Sequence, residues 1–234
     1  MDGLGNRAGG TLMRALFPEV CAEITVLGAH CDDIAIGAGG SLLELCRANP
    51  GMRVTALVLS GAGTPREAEE RAALAAFCPK ADLAVTVLDL RDGRLPAQWD
   101  LAKDALEALR RQCEPDLVFA PAAHDAHQDH RGLAKLVPTA FRDHVILGYE
   151  ILKWESDLAQ PTVFFPLAEE TIREKSDLLA THYRSQHGRG WFDHEAFAGL
   201  ARVRGVQCQH RYAEAFNAPK LTIAAARSSA AKRK

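Results

Sequence analysis

The chain has 234 residues, of which 47% are hydrophobic and 25% are charged. These values are typical of a globular protein with one large domain or two small ones, and they exclude a disordered or fibrous chain. A balance of 28 Lys and Arg against 30 Asp and Glu gives a net charge of -2, so nucleic acid is not an expected partner.

In chain order, residues 1–20 are interpreted as an N-terminal extension, because residues 1–17 lack the apolar core of a signal peptide. Apolar runs rich in β-branched residues then alternate with amphipathic patterns. The strands are predicted over 24–28, 54–59, 83–88, 116–120, 145–150 and 162–165. The helices are predicted over 41–49, 64–77, 101–113, 131–141 and 168–183, and 187–216 is predicted to be irregular except for a helical piece over 195–203.

This alternation predicts an α/β fold with a Rossmann-like, open and mostly parallel sheet flanked by helices. No linker or repeat divides it, so a single domain is expected over residues 21–220, followed by a basic, disordered tail over 221–234. No apolar run approaches the about 20 residues that span a bilayer, so stable membrane insertion is not expected. The six cysteines form no CxxC pair, which favours reduced thiols and a cytoplasmic location.

The first cluster with chemical potential, His30-Cys-Asp-Asp33, directly follows the first predicted strand. Open parallel sheets bind ligands beyond the carboxyl ends of their strands. Two adjacent carboxylates repel each other, and a cation relieves that repulsion. We therefore expect His30 and one aspartate to bind a metal while the other aspartate faces a bound water. The alternative is an acidic turn that only caps the first helix.

The second cluster, His124-Asp-Ala-His-Gln-Asp-His130, follows the fourth predicted strand and contains three histidines and two aspartates. Packing alone explains such a loop poorly, although solvated capping residues are an alternative. Together the two loops supply a His/Asp/His metal site with a spare aspartate and a spare histidine. A chain of this length folds without a metal, so the metal would serve chemistry.

Glycines at Gly37, Gly39 and Gly40 follow the first cluster, but their spacing is not GxGxxG, so a bound nucleotide is not expected. They are interpreted as a close turn that lets the loop approach the site and the first helix pack on the sheet.

The two clusters resemble motifs of the LmbE-like or PIG-L family of zinc-dependent de-N-acetylases. Ala29-His-Cys-Asp-Asp33 resembles the family's AHPDD motif, and His127-Gln-Asp-His130 resembles its HxDH motif. Similarity extends through Arg66 and Glu69, which resemble an RxxE element, and through Tyr183-Arg-Ser-Gln186 and Tyr212-Ala-Glu-Ala-Phe216 near the C-terminus. The resemblance therefore covers about residues 22–218.

The resemblance implies three zinc ligands, His30, Asp33 and His130. It implies that Asp32 is the general base. His127 would lie beside the scissile carbonyl, where it would stabilise the tetrahedral intermediate or protonate the leaving amine.

Further residues follow from the same resemblance. Asp129 would be a catalytic carboxylate that orients or charges a histidine. Arg66 and Asp92 match positions near which family members hold substrate hydroxyls. Cys31 and Ile34 replace the proline and the glutamate found in many members. The Cys31 thiol is then an adventitious metal ligand, and the change at Ile34 alters the support of the first loop.

The implied reaction removes an N-acetyl group from an amino sugar or glycoconjugate, with a metal-bound water attacking the amide carbonyl and Asp32 accepting its proton. Two histidines and one carboxylate also bind Fe2+ in oxygenases, so Fe2+ stays open beside Zn2+, although the extra Asp32 favours hydrolysis. An amidase for a larger N-acyl sugar or thiol-sugar conjugate is an alternative, as is a non-catalytic sugar- or metal-binding module. A homo-oligomer is also open.

Overall fold

The structure, a computed structural model, describes residues 21–222. The proposed N-terminal extension and residues 223–234 of the proposed tail lie outside this range. The described strands are β1 (Glu23–Gly28), β2 (Arg53–Val58), β3 (Asp82–Val87), β4 (Leu117–Pro121), β5 (Val145–Tyr149), β6 (Val163–Leu167) and β7 (Tyr212–Asn217). The described α-helices are α1 (Asp33–Ala48), α2 (Pro65–Phe77), α3 (Trp99–Arg110), α4 (Gln128–Ala140), α5 (Glu169–His182) and α6 (His194–Gln207).

The strands form one sheet in the order β3-β2-β1-β4-β5-β7-β6. Strands β1 to β5 are parallel, and β7 runs antiparallel to both β5 and β6. Buried side chains of α1, α2, α5 and α6 cover one face, and those of α3 and α4 cover the other. The predicted single-domain, mostly parallel α/β fold is therefore confirmed.

The topology also fixes where a ligand can bind. From β1 the chain moves outward through β2 to β3, and it then returns to β4 on the other side of β1. A crevice opens where the strand order reverses in this way. The loops that follow β1 and β4 border that crevice, and both loops carry the clusters found in the sequence.

The first helix begins earlier than predicted. The expected turn through the glycines is wrong, because α1 begins at Asp33 and contains Gly37 and Gly39. A Cβ atom at Gly37 would overlap the Tyr149 ring, and one at Gly39 would lie 2.8 Å from the Phe77 ring. These glycines therefore allow close packing of α1 against its neighbours. This agrees with the expectation that they let the first helix pack on the sheet.

Near the C-terminus, the helical piece predicted over 195–203 is confirmed as part of α6, which covers His194–Gln207. The prediction of irregular structure is wrong for β7, which fills the middle of the antiparallel part of the sheet. Glu214, a buried acid, interrupts the apolar pattern of β7. Its carboxylate accepts hydrogen bonds from the backbone of Gly40 and Ser41 and pairs with Lys175 Nζ at 2.6 Å. Distant partners therefore stabilise a strand that its local sequence does not indicate.

Within residues 21–222, no helix combines the length and the apolar character needed to cross a membrane. All six cysteines lie in this range as buried, unpaired thiols.

Candidate active site

The crevice between β1 and β4 brings together every catalytic and metal-binding residue expected from the sequence. The loop after β1 supplies three of them, and the loop after β4 with the first turn of α4 supplies the other three. These six residues are His30, Asp32, Asp33, His127, Asp129 and His130, of which all but His127 are buried. Helix α2 contributes Arg66, and the segment after β3 contributes Asp92. His124 is exposed.

Three of these side chains have the spacing of metal ligands. Nδ1 of His30 lies 3.1 Å from Nε2 of His130, and Nε2 of His130 lies 3.3 Å from Oδ1 of Asp33. Nδ1 of His30 lies 3.6 Å from Oδ2 of Asp33. Atoms that bind a tetrahedral zinc at about 2.0–2.1 Å lie about 3.3 Å from one another. The nitrogen and oxygen donors of His30, Asp33 and His130 therefore fit a small divalent cation.

Two other groupings of ligand atoms share His30. Its ring lies close enough to His127 and His130 for three histidine nitrogens to converge, and it also converges with Asp92 and Asp129. Within each group the ligand atoms lie within 4.8 Å of one another. A cation bound with His130 would lie on the Nδ1 side of the His30 ring, whereas one bound with Asp92 and Asp129 would lie on the Nε2 side.

Charge is concentrated in the ligand cluster. Burial lowers the pKa of His130, but the carboxylates of Asp33 and Asp125 outweigh burial and raise that pKa to about 9. Burial also lowers the pKa of His30, but Asp33, Asp129 and Asp92 outweigh it and raise that pKa well above its usual range. The two histidines in turn hold the pKa of Asp33 well below its usual range, again against burial. A bound cation would replace the protons of these histidines.

Two carboxylates lie on the other nitrogen of His30. Nε2 of His30 is 3.1 Å from Oδ2 of Asp129 and 3.0 Å from Oδ1 of Asp92. Asp129 also accepts hydrogen bonds from the backbone N–H groups of Gly93 and Leu95, at 2.7 and 2.9 Å. Asp129 is thus fixed against His30, as a carboxylate that orients a histidine must be. The Asp92 side chain is 64% exposed, so it can also reach a ligand in the crevice.

Asp125 is a site residue to which the sequence interpretation gave no role. Its Oδ2 lies 2.9 Å from Nδ1 of His130, and its Oδ1 accepts the backbone N–H of His127 at 2.8 Å. Lys153, from the segment after β5, lies 3.0 Å from Asp125 and 2.5 Å from Asp157. Asp125 therefore contacts the ring nitrogen of His130 that faces away from Asp33, just as Asp129 contacts the outer nitrogen of His30. Its position in the same loop, five residues before His130, is the signal that could have revealed it.

We expect Asp125→Asn to weaken metal binding about 10- to 100-fold. Oδ1 of Asp125 accepts the His127 N–H and Oδ2 pairs with Nδ1 of His130, so an amide would turn its NH2 group toward one of these two groups. Calorimetric titration of metal-free protein with Zn2+ measures the affinity. Asp157→Asn is the control, because Asp157 contacts Lys153 and the Ala126 N–H. Equal affinities of the two variants would contradict the assignment.

Asp32 lies at the start of α1 but does not cap it. Its side chain makes no capping hydrogen bond, and its φ of 115° lies in a region that non-glycine residues rarely adopt. Oδ2 of Asp32 lies 3.0 Å from Nη2 of Arg66. Burial raises the pKa of Asp32 to about 7, although Arg66 lowers it in part. A carboxylate poised near neutrality is suited to accept and return a proton.

His127 stands at the N-cap of α4, where its Nδ1 accepts the backbone N–H of Asp129 at 3.3 Å. An accepting Nδ1 places the proton of the neutral ring on Nε2. The pKa of His127 is lowered by burial and by the positive charge of His130 and His30. The ring is therefore a neutral hydrogen-bond donor, and its centroid lies 4.8 Å from that of His30.

The two departures from the family motif are both buried. The Cys31 thiol lies 3.5 Å from the Ser60 carbonyl oxygen, and burial raises its pKa to about 12. Among the described residues, neither group of converging ligand atoms contains Cys31, so the expectation of an adventitious ligand is not supported. Ile34 lies in the apolar layer beneath α1.

The crevice defines an α/β protein whose buried His/Asp cluster, at the edge of its sheet, could hold a cation. The PIG-L family profile, described as GlcNAc-PI de-N-acetylase, matches residues 25–141, which include both clusters. The chain is also 32% identical over 173 residues to the uncharacterized deacetylase YaiS of Escherichia coli K12, across 68% of this chain and 89% of that protein. The chain belongs to the PIG-L deacetylase family.

Two solved structures share the fold. The N,N'-diacetylchitobiose deacetylase of Pyrococcus horikoshii is 21% identical, with a TM-score of 0.66 over 85% of this chain and 84% of that one. The 4-carboxy-2-hydroxymuconate hydratase GalB of Pseudomonas putida KT2440 is 17% identical, with a TM-score of 0.69 over 87% of this chain and 98% of that one. Because one is a deacetylase and the other a hydratase, the shared fold does not by itself select a reaction.

Proposed function

We propose that the protein is a metal-dependent hydrolase that removes the N-acetyl group from an amino sugar. The observation that carries this proposal is the convergence of His30, Asp33 and His130 next to the buried base candidate Asp32. The two ring nitrogens lie 3.1 Å from each other, and each lies 3.3–3.6 Å from one of the two carboxylate oxygens of Asp33. A bound Zn2+ or Fe2+ would polarise the amide carbonyl and lower the pKa of water to about 7.

The protein side chains would divide the remaining work. Asp32 accepts a proton from water as a new C–O bond forms at the acetyl carbon. His127 donates a hydrogen bond from Nε2 to the oxygen on which negative charge develops. The C–N bond then breaks, and Asp32 returns the proton to the leaving nitrogen, because neutral His127 is a weak acid. The products are acetate and a free amine.

The substrate class follows from the family and its relatives. The family description names GlcNAc-PI, and the deacetylase with the same fold acts on N,N'-diacetylchitobiose. Both names contain an N-acetylated glucosamine unit. Arg66 and Asp92, which border the crevice, would contact its hydroxyl groups. A neutral sugar also fits a chain whose net charge is only -2.

The test is a screen of metal-loaded protein, prepared with Zn2+ and, anaerobically, with Fe2+. N-acetylglucosamine, N,N'-diacetylchitobiose and a nucleotide conjugate of N-acetylglucosamine would each be assayed for acetate and for a new primary amine. We expect both products in equal amounts from at least one substrate. Consumption of a substrate without acetate would contradict the proposal, because a hydratase adds water without breaking the amide.

A second series keeps the best sugar and lengthens the acyl group from acetyl to butanoyl and octanoyl. A de-N-acetylase should lose kcat/KM as the chain grows. A constant or rising kcat/KM would favour the larger-acyl amidase instead. Unreactive substrates that still bind, detected by calorimetry, would favour a non-catalytic sugar-binding protein.

A further inference from the structure

A fully buried acid on α2, Glu70, is the feature of the site that the proposed chemistry leaves without a role. Its side chain is 0% exposed, and both hydrogen bonds that it accepts fall on one oxygen. Oε2 accepts the Asp32 backbone N–H at 2.8 Å and the Tyr183 hydroxyl at 2.7 Å. Oε1 has no hydrogen-bond partner among the described residues. Burial of an acid costs free energy unless hydrogen bonds compensate, so these two bonds are the contacts that hold Glu70 in place.

The partner of Glu70 is one peptide unit. The N–H of Asp32 belongs to the peptide that joins Cys31 to Asp32, and the carbonyl oxygen of the same peptide accepts a hydrogen bond from Nη2 of Arg66. Arg66 and Glu70 lie four residues apart on α2, so they project from the same helix face. One turn of α2 therefore binds both polar atoms of a single peptide: Glu70 accepts its N–H, and Arg66 donates to its carbonyl oxygen.

That peptide determines the orientation of the candidate base. Asp32 has a φ of 115° and a ψ of -26°, a conformation that persists only where its surroundings enforce it. Rotation of the peptide would break the bonds to both Arg66 and Glu70. It would also move the Asp32 carboxylate relative to Asp33, the adjacent ligand candidate.

We propose that Glu70, fixed by Tyr183 and acting together with Arg66, is a positioning residue that holds the Cys31–Asp32 peptide and thereby aims the Asp32 carboxylate. Arg66 is then a support for the base as well as a candidate contact for substrate. This inference rests on the proposed function for its kinetic consequence, but its structural content is independent of the substrate.

Glu70→Met tests the proposal, because methionine has a similar volume and cannot accept the Asp32 N–H. A misplaced base loses turnover rather than binding, so we expect kcat to fall about 10- to 100-fold while KM changes less than about twofold. Glu70→Gln keeps an acceptor oxygen and should recover kcat to within about threefold of the wild type. Zinc content, measured by elemental analysis, should be unchanged in both variants.

Glu69→Met is the matched control. Glu69 is the neighbouring residue on α2, and its carboxylate accepts hydrogen bonds from the backbone and hydroxyl of Ser185. We expect this variant to keep the wild-type kcat. A Glu70→Met variant with wild-type kcat would overturn the proposal, and so would one whose lost kcat is explained by lost zinc.

The structural consequence separates this proposal from the proposed function. If the wild type releases no acetate from any sugar, the proposed function fails, and a crystal structure of Glu70→Met decides the role of Glu70. We expect the Cys31–Asp32 peptide to rotate and Asp32 to leave its positive φ. An unchanged peptide in that structure would overturn the positioning role.

Discussion

Replacing Asp32 with asparagine should lower kcat about 1,000-fold while KM stays within a factor of about three. Asparagine has the shape of aspartate, and it is enriched at positive φ, so the backbone at 115° should persist. Its amide oxygen can still lie against Nη2 of Arg66, which pairs with Oδ2 of Asp32 at 3.0 Å, but it cannot take a proton from water at neutral pH. The variant therefore removes one chemical step and little else. Steady-state kinetics on the best sugar from the screen measures the effect.

The pH dependence of the same pair of proteins provides a second readout. Only the ionised carboxylate accepts a proton, so kcat of the wild type should fall as the pH drops below the pKa of Asp32. Burial raises this pKa to about 7 in the metal-free chain, and a nearby cation would lower it, so the decline should lie below pH 7. Asp32→Asn should lack this decline. Full activity in the variant would exclude Asp32 as the base.

The sequence predicted the fold well where patterns are local. The five parallel strands alternate with helices, and each strand is rich in apolar and β-branched residues. Strand β7 was missed because Glu214 lies in its middle, and its partner Lys175 lies 39 residues away. The start of α1 was missed because glycines disfavour helix in isolation, whereas here Tyr149 and Phe77 occupy the space that side chains would need.

The residues predicted for the site lie together in the structure, but the contacts that support them were not predicted. Motif spacing indicates which residues lie at the crevice, because parallel strands end at one edge. It does not indicate which carboxylate faces which ring nitrogen, so the support of His130 by Asp125 was missed.

Glu70 illustrates the same limit on α2. Glu69 matches the RxxE spacing, whereas the residue that faces the site is Glu70. The position of Glu70 on the helix could have indicated its role, because Glu70 lies on the same buried face of α2 as Ala73, Leu74 and Phe77. An acid in an apolar stripe requires a buried partner.

Metal binding gives the second large expected effect. At a Zn2+ concentration about 100-fold above Kd, the wild type should gain about 2.7 kcal/mol in its free energy of unfolding. For a domain of this size that gain raises Tm by about 5–10 °C. His130→Ala should lose this increase, because His130 belongs both to the set with His30 and Asp33 and to the grouping with His30 and His127. His124→Ala, an exposed histidine of the same loop, should keep it.

Two further variants decide between these ligand sets. If Asp33 completes the site with His30 and His130, Asp33→Asn should lose the zinc-induced rise in Tm and His127→Ala should retain most of it. If His127 is the third ligand, the two results are reversed. Each variant is compared with its own metal-free form, because Asp33 also accepts the backbone N–H groups of Ala29 and His30, at 2.9 Å each. Those bonds belong to the folded loop whether or not a cation is bound, so any weakening of them lowers both melting temperatures and leaves the zinc-induced difference to report coordination.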